Sequence, residues 1–311
     1  MQSEPGRVVM IDGQVVPQER AVVSVYDRGF LYGDSVFEVL RTYGRAPFAL
    51  DEHLARLFES ARRVAIEMPV SREALRAEVV SSIEQAAGES DRVVRIQITR
   101  GVGPLGLDPT LARKPLRVIL VEPIVLPHAD DYRDGIGVIL VRTERTTDHT
   151  AAAGAKVANY LVSLLALRDA YAQGAREAVI VDGHGRVLEG TTSNVFVVKD
   201  RTLLTPPESE GILPGITRMH LLHAATALAI PVRITTLTRG DLAAADEVFI
   251  SSTVREVLPV VSLDGEAVGS GRVGEVTRAI HRQFRIDGGL PTRMPWEEAG
   301  AGGARPGGLG K

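Results

Sequence analysis

Apolar and polar positions first organise over Val8–Ile11 and Gln14–Val16, and the Asp12-Gly13 pair between them supplies the positive φ of a tight turn. The chain is therefore expected to open on a hairpin. A β-rich run, Ser35-Val36-Phe37-Glu38-Val39-Leu40-Arg41-Thr42-Tyr43, closes at Gly44-Arg45. Leu54, Leu57, Phe58, Ala61 and Val64 then recur at spacings of three and four, which predicts a helix with Asp51 as its N-cap. A second helix is expected from near Ser71 to before Gly88, followed by strands over 93–99 and 116–121. The loop between those strands, Arg100-Gly101-Val102-Gly103-Pro104-Leu105-Gly106-Leu107-Asp108-Pro109, is too punctuated by glycine and proline for regular structure, and no helix opens after it as a dinucleotide fingerprint would need.

A polar, pattern-free stretch over 127–134 marks a domain boundary. Beyond it the pattern predicts a strand over 136–141, a polar loop to Ala155, and a helix entered from Lys156. Leu161, Leu164, Leu165, Arg168 and Tyr171 give that helix its period and Gly174 its stop. Strand-like runs follow over 177–181, 186–188 and 194–198. Leu213-Pro214-Gly215-Ile216-Thr217-Arg218 opens a helix through Leu228, 247–253 reads as a buried strand ending in hydroxyls, and a last helix covers 276–285. The order fits a mixed α+β, α/β architecture of largely antiparallel sheets with flanking helices. Four segments are expected: a small α/β domain over 1–125, a linker over 126–135, a large domain over 136–290, and a disordered Gly-rich tail over 291–311.

Composition narrows the chemistry. The 311 residues suit two domains of ordinary size, and 44% apolar, 24% charged and a net charge of −3 lack the basic excess of a nucleic-acid binder. With no cysteine, thiolate metal sites, disulfides and cysteine nucleophiles are excluded. No leader or membrane-spanning run is evident, so a cytoplasmic protein is expected. His220 and His223 lie three apart without a third ligand at a metal spacing, and the serines lack a nucleophile-elbow context, so neither a metal site nor a Ser-His-Asp triad is expected.

Only lysine can offer a neutral amine nucleophile, because guanidinium keeps its proton. Lys114 precedes a strand, Lys199 sits in a hairpin turn and Lys311 ends the tail. Lys156 lies in Gly154-Ala155-Lys156-Val157-Ala158, where desolvation would lower an amine's pKa, although a solvated lysine fits the same letters. Gly215-Ile216-Thr217 at a helix start would offer N–H groups and a hydroxyl to a phosphate, and a routine helix entry explains them equally. Ser251-Ser252-Thr253 could add hydroxyl donors, and Arg56 a countercharge or a simple pair with Glu52 or Glu59.

At this point the residues resemble a known family, the fold-type IV, or class IV, pyridoxal 5′-phosphate aminotransferases, which include branched-chain and D-amino acid aminotransferases and aminodeoxychorismate lyase. The likeness covers roughly residues 8–285. It is carried by Asp27-Arg28-Gly29-Phe30-Leu31-Tyr32-Gly33-Asp34-Ser35-Val36-Phe37-Glu38, His53-Leu54-Ala55-Arg56-Leu57, Lys156 with Asn159-Tyr160, Glu189-Gly190-Thr191-Thr192-Ser193-Asn194, Leu213-Pro214-Gly215-Ile216-Thr217-Arg218 and Ser251-Ser252-Thr253-Val254-Arg255-Glu256. The resemblance implies that Lys156 holds the cofactor as a Schiff base in a ping-pong aldimine mechanism and then moves the substrate proton. It also implies that Glu189 pairs with the pyridine nitrogen, that Tyr160, at helical spacing from Lys156, bonds the phenolic oxygen, and that Arg56, Ile216, Thr217, Ser252 and Thr253 bind the phosphate. A homodimer is implied too.

The substrate is less sharply marked. Gly103-Pro104-Leu105-Gly106-Leu107 and Arg95 resemble the branched-chain enzymes, whereas Val93 and Val39 replace a tyrosine and a glycine usual there; the Arg-x-His trap of D-amino acid enzymes is replaced by Leu105-Gly106-Leu107. Expected carboxylate donors are the Thr253 hydroxyl, the Val254 amide, Tyr32 and Arg95, with Arg41 a further candidate that strand alternation directs to solvent. Phe37, Val39 and Leu107 would form an apolar pocket for leucine, isoleucine or valine, each buried CH₂ contributing about 0.8 kcal/mol. Exchange with 2-oxoglutarate is the resulting expectation. A D-amino acid or (R)-amine transaminase, the lyase, and a non-catalytic binding protein are the other readings.

Overall fold

The computed structural model describes residues 6–143 and 152–297. They divide into two compact units, one running to Ile124 and including Gly154–Asn159, the other taking up the chain from Val125 apart from that segment.

The first unit contains β1 (Val8–Ile11), β2 (Gln14–Val16), α1 (Arg28–Tyr32), β3 (Ser35–Tyr43), β4 (Ala46–Pro47), α2 (Leu50–Arg63), α3 (Arg72–Gln85), β5 (Arg92–Thr99) and β6 (Leu116–Pro123). Its six strands form an antiparallel sheet in the order β2-β1-β6-β5-β3-β4. Val36 and Leu40 of β3 and Val94, Ile96 and Ile98 of β5 share a face, which α2 and α3 cover with Leu54, Leu57, Leu75 and Val79. The Ser71 side chain caps α3 as its sequence suggests. Asp51 does not cap α2: the helix starts one residue before it, after Ala49 in a left-handed conformation, and Asp51 lies in the first turn, where a carboxylate suits the helix dipole.

The second unit contains α4 (Ala129–Arg133), β7 (Ile136–Arg142), α5 (Leu161–Ala172), β8 (Glu177–Val181), β9 (Arg186–Gly190), β10 (Asn194–Lys199), β11 (Thr202–Thr205) and α6 (Ile216–Ala227). It continues through β12 (Val232–Ile234), β13 (Leu237–Thr238), α7 (Arg239–Ala243), β14 (Glu247–Ser252), β15 (Glu256–Leu263), β16 (Glu266–Ala267) and α8 (Glu275–Asp287). The strand order is β12-β11-β10-β14-β15-β7-β8-β9-β13 with β16 on β15, and β9 also pairs with β10, which closes a ring through β14, β15, β7 and β8. The closing pair is Asn194 with Glu189. Most pairings are antiparallel; β7 with β8, β7 with β15, and β11 with β12 are parallel. The resulting core is built from Val179, Val195, Val197, Ile250, Leu258 and their neighbours.

Three expectations change here. The supposed linker 126–135 holds α4, capped by His128, with Tyr132 buried in the second unit's core, because a capping box and one aromatic suffice to fold a polar stretch. The start of the supposed tail is packed, with Met294 buried and the Trp296 ring 5.3 Å from that of His281; residues 298–311 lie outside those described. Helix α5 faces the core with Ala166 and Ala170, while Leu161, Leu164, Leu165 and Tyr171 are exposed. The periodicity does form a helix, but the larger apolar side chains lie on its outer stripe.

Candidate active site

Lys156 does not enter a helix. Its segment lies extended along β3, where Phe37 N–H donates to Lys156 O at 3.0 Å, Ala158 N–H donates to Ser35 O at 3.1 Å, and Val157 bridges to Val36. The Lys156 amide donates to Ser60 Oγ of α2 at 3.1 Å. With Val157 aligned to core-facing Val36, strand alternation turns Lys156 to the other face. There its Nζ stands 4.6 Å from the centroid of Phe37, a ring only 1% exposed, and the Arg95 guanidinium stands 4.0 Å from the same centroid. Val39 lies opposite Arg95 in the sheet register. Phe37, Val39, Arg95 and Lys156 thus share one face of the sheet. Tyr160, which sequence spacing set on a helix with Lys156, instead precedes α5 in the second unit.

On the helix side of β3, alternation places Glu38 among Val36 and Leu40, a charged residue in a core row. Arg56 satisfies it, donating Nε and Nη2 to the two carboxylate oxygens at 2.7 and 2.8 Å, and His53 Nδ1 lies 2.8 Å away. Burial pushes the Glu38 pKa up, but Arg56 and His53 outweigh it and hold the carboxyl at about 2. Burial also keeps the His53 imidazole below its ordinary value against the pull of Glu38. The carboxylate facing Arg56 is therefore Glu38, with Glu59 pairing Arg62 and Arg63. Sequence reasoning quoted Glu38 and His53 without giving them a role; the signal was a carboxylate at an inward position of a strand.

The glycine-rich loop is tethered by its carbonyls and amides. Arg28 donates to Gly106 O at 2.7 Å and Leu107 O at 3.4 Å, and the Tyr32 hydroxyl accepts from Gly106 N–H at 3.1 Å. Leu107 itself is 80% exposed and does not join Phe37 and Val39, because the loop is held through its backbone rather than by packing of its side chains. Arg41, far from solvent, is buried, bonds Asp91 at 2.7 Å and lies over the Tyr43 ring.

In the second unit, ring closure sets Glu189 beside Asn194, and both grip the chain that enters α6. Leu213 N–H donates to Glu189 Oε2 at 3.0 Å, and Asn194 Nδ2 donates to Leu213 O at 2.9 Å. Glycine is required at 215 by space: a Cβ there would lie 1.9 Å from Asn194 Oδ1. Gly215 caps α6 without any side-chain hydrogen bond, leaving the first N–H groups, at Ile216 and buried Thr217, available to an anion. Across the sheet, Ser251 pairs with Asn194, and the strand ends in Ser252 with Thr253 and Val254 in the turn that follows. The Ser193 and Ser251 hydroxyls are buried without a hydrogen-bond partner among the described residues. An uncapped twelve-residue helix beside a fixed carboxylate leaves N–H donors that suit an anion such as phosphate. The structure thus groups Glu189, Ile216, Thr217, Ser252, Thr253 and Val254 in the second unit, and Tyr32, Phe37, Val39, Arg56, Arg95 and Lys156 in the first.

The family model for amino-transferase class IV matches residues 35–263. The chain belongs to the class IV aminotransferases. A candidate branched-chain-amino-acid aminotransferase of Methanocaldococcus jannaschii is 38% identical over 277 residues, covering 89% of this chain and 95% of the relative. D-alanine aminotransferase of Bacillus licheniformis is 32% identical over 272 residues, 88% of this chain and 94% of the relative. Among solved structures, the branched-chain amino acid aminotransferase of Escherichia coli is similar with a TM-score of 0.86 and 34% identity, covering 95% of this enzyme and 97% of that chain. The branched-chain enzyme of T.th., solved with N-(5′-phosphopyridoxyl)-L-glutamate, has a TM-score of 0.83 and 30% identity, covering 95% and 98%. Among the described residues of the present enzyme no helix is long and apolar enough to cross a membrane.

Proposed function

We propose that this aminotransferase uses pyridoxal 5′-phosphate to exchange the amino group between L-leucine, L-isoleucine or L-valine and 2-oxoglutarate. The observation that carries the reading is the Lys156 side chain, brought by an extended strap to a buried aromatic ring and a guanidinium on one sheet face. Of the other lysines, Lys199 is committed to Asp246 at 3.1 Å, Lys114 is exposed beside Pro115, and Lys311 lies outside the described residues.

The cofactor would be held covalently by the Lys156 amine. Its phosphate would take the Arg56 guanidinium, the Ile216 and Thr217 amides at the start of α6, and the Ser252 and Thr253 hydroxyls. Glu189 would keep the pyridine nitrogen protonated and Tyr160 would hydrogen-bond the phenolic oxygen. When bound, the cofactor supplies an electron-accepting ring that lowers the cost of breaking a substrate Cα–H bond. Released when the substrate amine takes its place, the Lys156 Nζ would take the proton from Cα and deliver it to C4′ of the cofactor, acting as base and acid in turn. Phe37 and Val39 would exclude water from an aliphatic side chain, and Arg95, Tyr32, Thr253 and the Val254 amide would receive carboxylate. The exposed Leu161, Leu164 and Leu165 on α5, with Leu105 and Leu107 on the loop, suit burial against a second copy, and we take the working enzyme to be a homodimer.

One observation favours a second reading, a D-amino acid transaminase: D-alanine aminotransferases of Bacillus licheniformis and Staphylococcus haemolyticus are 32% and 35% identical to the chain. Titrating the holoenzyme separately with L-leucine and D-alanine while following its visible band decides between them. Loss of the band with L-leucine alone is expected; loss with D-alanine alone would select the second reading, and no change with either would refute both.

A further inference from the structure

We propose that Arg255 is a positioning residue that fixes the Ser252 hydroxyl as a hydrogen-bond donor to the cofactor phosphate; this rests on the phosphate site read above. Neither the sequence motifs nor the family likeness gives Arg255 a role. In the structure its guanidinium joins the end of β14, the start of β8 and the turn between β9 and β10. Nε donates to Ser252 Oγ at 3.1 Å, Nη1 to Glu177 Oε2 at 2.8 Å, and Nη2 to Thr192 Oγ1 at 2.8 Å. Glu177 is 1% exposed and is itself immobilised, its other oxygen accepting from the Thr191 hydroxyl, from Thr191 N–H at 3.3 Å and from Ala178 N–H at 3.0 Å.

The main chain around Arg255 is gripped as well. Arg255 O accepts from the buried Tyr132 hydroxyl at 3.1 Å. The next residue, Glu256, has φ +57°, and its buried carboxylate lies 2.7 Å from His281 Nε2 and accepts two bonds from Arg285 of α8, at 2.7 and 2.8 Å. The turn carrying Ser252, Thr253 and Val254 is therefore anchored immediately behind its ligand-facing residues. Nε, Nη1 and Nη2 of Arg255 are all committed to protein partners, so this guanidinium is spent on the protein and is poorly placed to act as a phosphate ligand in its own right.

The chemistry follows from the hydroxyl. A serine oxygen has one proton and two lone pairs, and the charged Nε–H occupies one lone pair. Because a guanidinium has no lone pair to accept a proton, that bond turns the hydroxyl proton away from Arg255, and it polarises the O–H, making it a stronger donor elsewhere. A phosphate dianion offers only acceptors, so a fixed donor is the group it needs. Without the guanidinium the same serine would rotate and spend its proton on other acceptors.

The test compares cofactor-free protein binding pyridoxal 5′-phosphate with the same protein binding pyridoxal, which lacks the phosphate, each followed by absorbance. Arg255→Lys keeps a charge against Glu177 but loses the fork that reaches Ser252. It is expected to weaken pyridoxal 5′-phosphate about tenfold, the scale of one charge-assisted hydrogen bond, while pyridoxal binding stays within about twofold. Ser252→Ala should give the same selective loss, and Arg255→Lys added to Ser252→Ala should cost nothing further. Thr192→Val, which releases only Nη2, should move binding in the same direction by less, and serves if Arg255→Lys does not fold. Equal weakening of both ligands, multiplying losses in the double variant, or unchanged phosphate discrimination would overturn the proposal. Parent protein that binds the phosphorylated and unphosphorylated forms alike would instead refute the phosphate site itself.

Discussion

Lys156 and Glu38 occupy opposite sides of the same strand neighbourhood, one offering an amine and the other ordering a cation. Glu38 is buried and anionic only because Arg56 and His53 surround it, so Arg56 cannot leave without stranding a charge. Glu38→Gln is therefore expected to destabilise the protein by about 3 kcal/mol in chemical denaturation. Cofactor affinity should fall with it as Arg56 loses its two-point hold. A Glu38→Gln protein as stable as the parent would contradict that role. The small apolar neighbours of Lys156 left a solvated side chain open and the family resemblance singled it out, whereas Glu38 could have been read from its inward register. Arg255 and Glu177 could not: they lie 78 positions apart, and only closure of the second sheet brings them together.

At the level of elements, runs with clear alternation or heptad-like spacing formed where the pattern placed them, as at Val8–Ile11, Gln14–Val16 and Ser35–Tyr43. Failures came where backbone conformation or partner choice outweighed local pattern. Ala49 in a left-handed conformation starts α2 ahead of Asp51, and Lys156 extends along β3 instead of starting α5. The identity of the face that α5 buries depends on which side meets β8, information held by β8 rather than by α5. The start of α6 shows the same dependence, since Gly215 is small for the sake of Asn194. Its φ of −67° would suit alanine, so the penalty in Gly215→Ala is steric alone. That variant should lose about 1–3 kcal/mol of stability and bind the cofactor more weakly, as α6 is pushed off its entry point. Unchanged melting and affinity would show that Asn194 does not brace the helix.

Across the whole molecule each unit carries one buried cluster of carboxylate, imidazole and guanidinium: Glu38, His53 and Arg56 in the first, Glu256, His281 and Arg285 in the second. In both, the arginine already neutralises the carboxylate, so a protonated imidazole would be a surplus buried charge, and burial keeps both histidines below their ordinary 6.5. The two glutamates also lie below their ordinary 4.5, Glu38 at about 2. All four groups bind protons more weakly when folded, so stability is present above the unfolded values and is lost on acidification. The melting temperature should decline as pH drops below about 6.5 and decline more steeply between about 4.5 and 2. A melting temperature that is flat from pH 7 to 3 would contradict this assignment.

The central claim is that one amine, that of Lys156, carries pyridoxal 5′-phosphate. Reducing the holoenzyme with borohydride and mapping its peptides by mass spectrometry tests this directly. The account predicts a single phosphopyridoxyl group on the peptide containing Lys156 and its disappearance in Lys156→Ala; labelling at Lys114 or Lys199, or at no lysine, would contradict it.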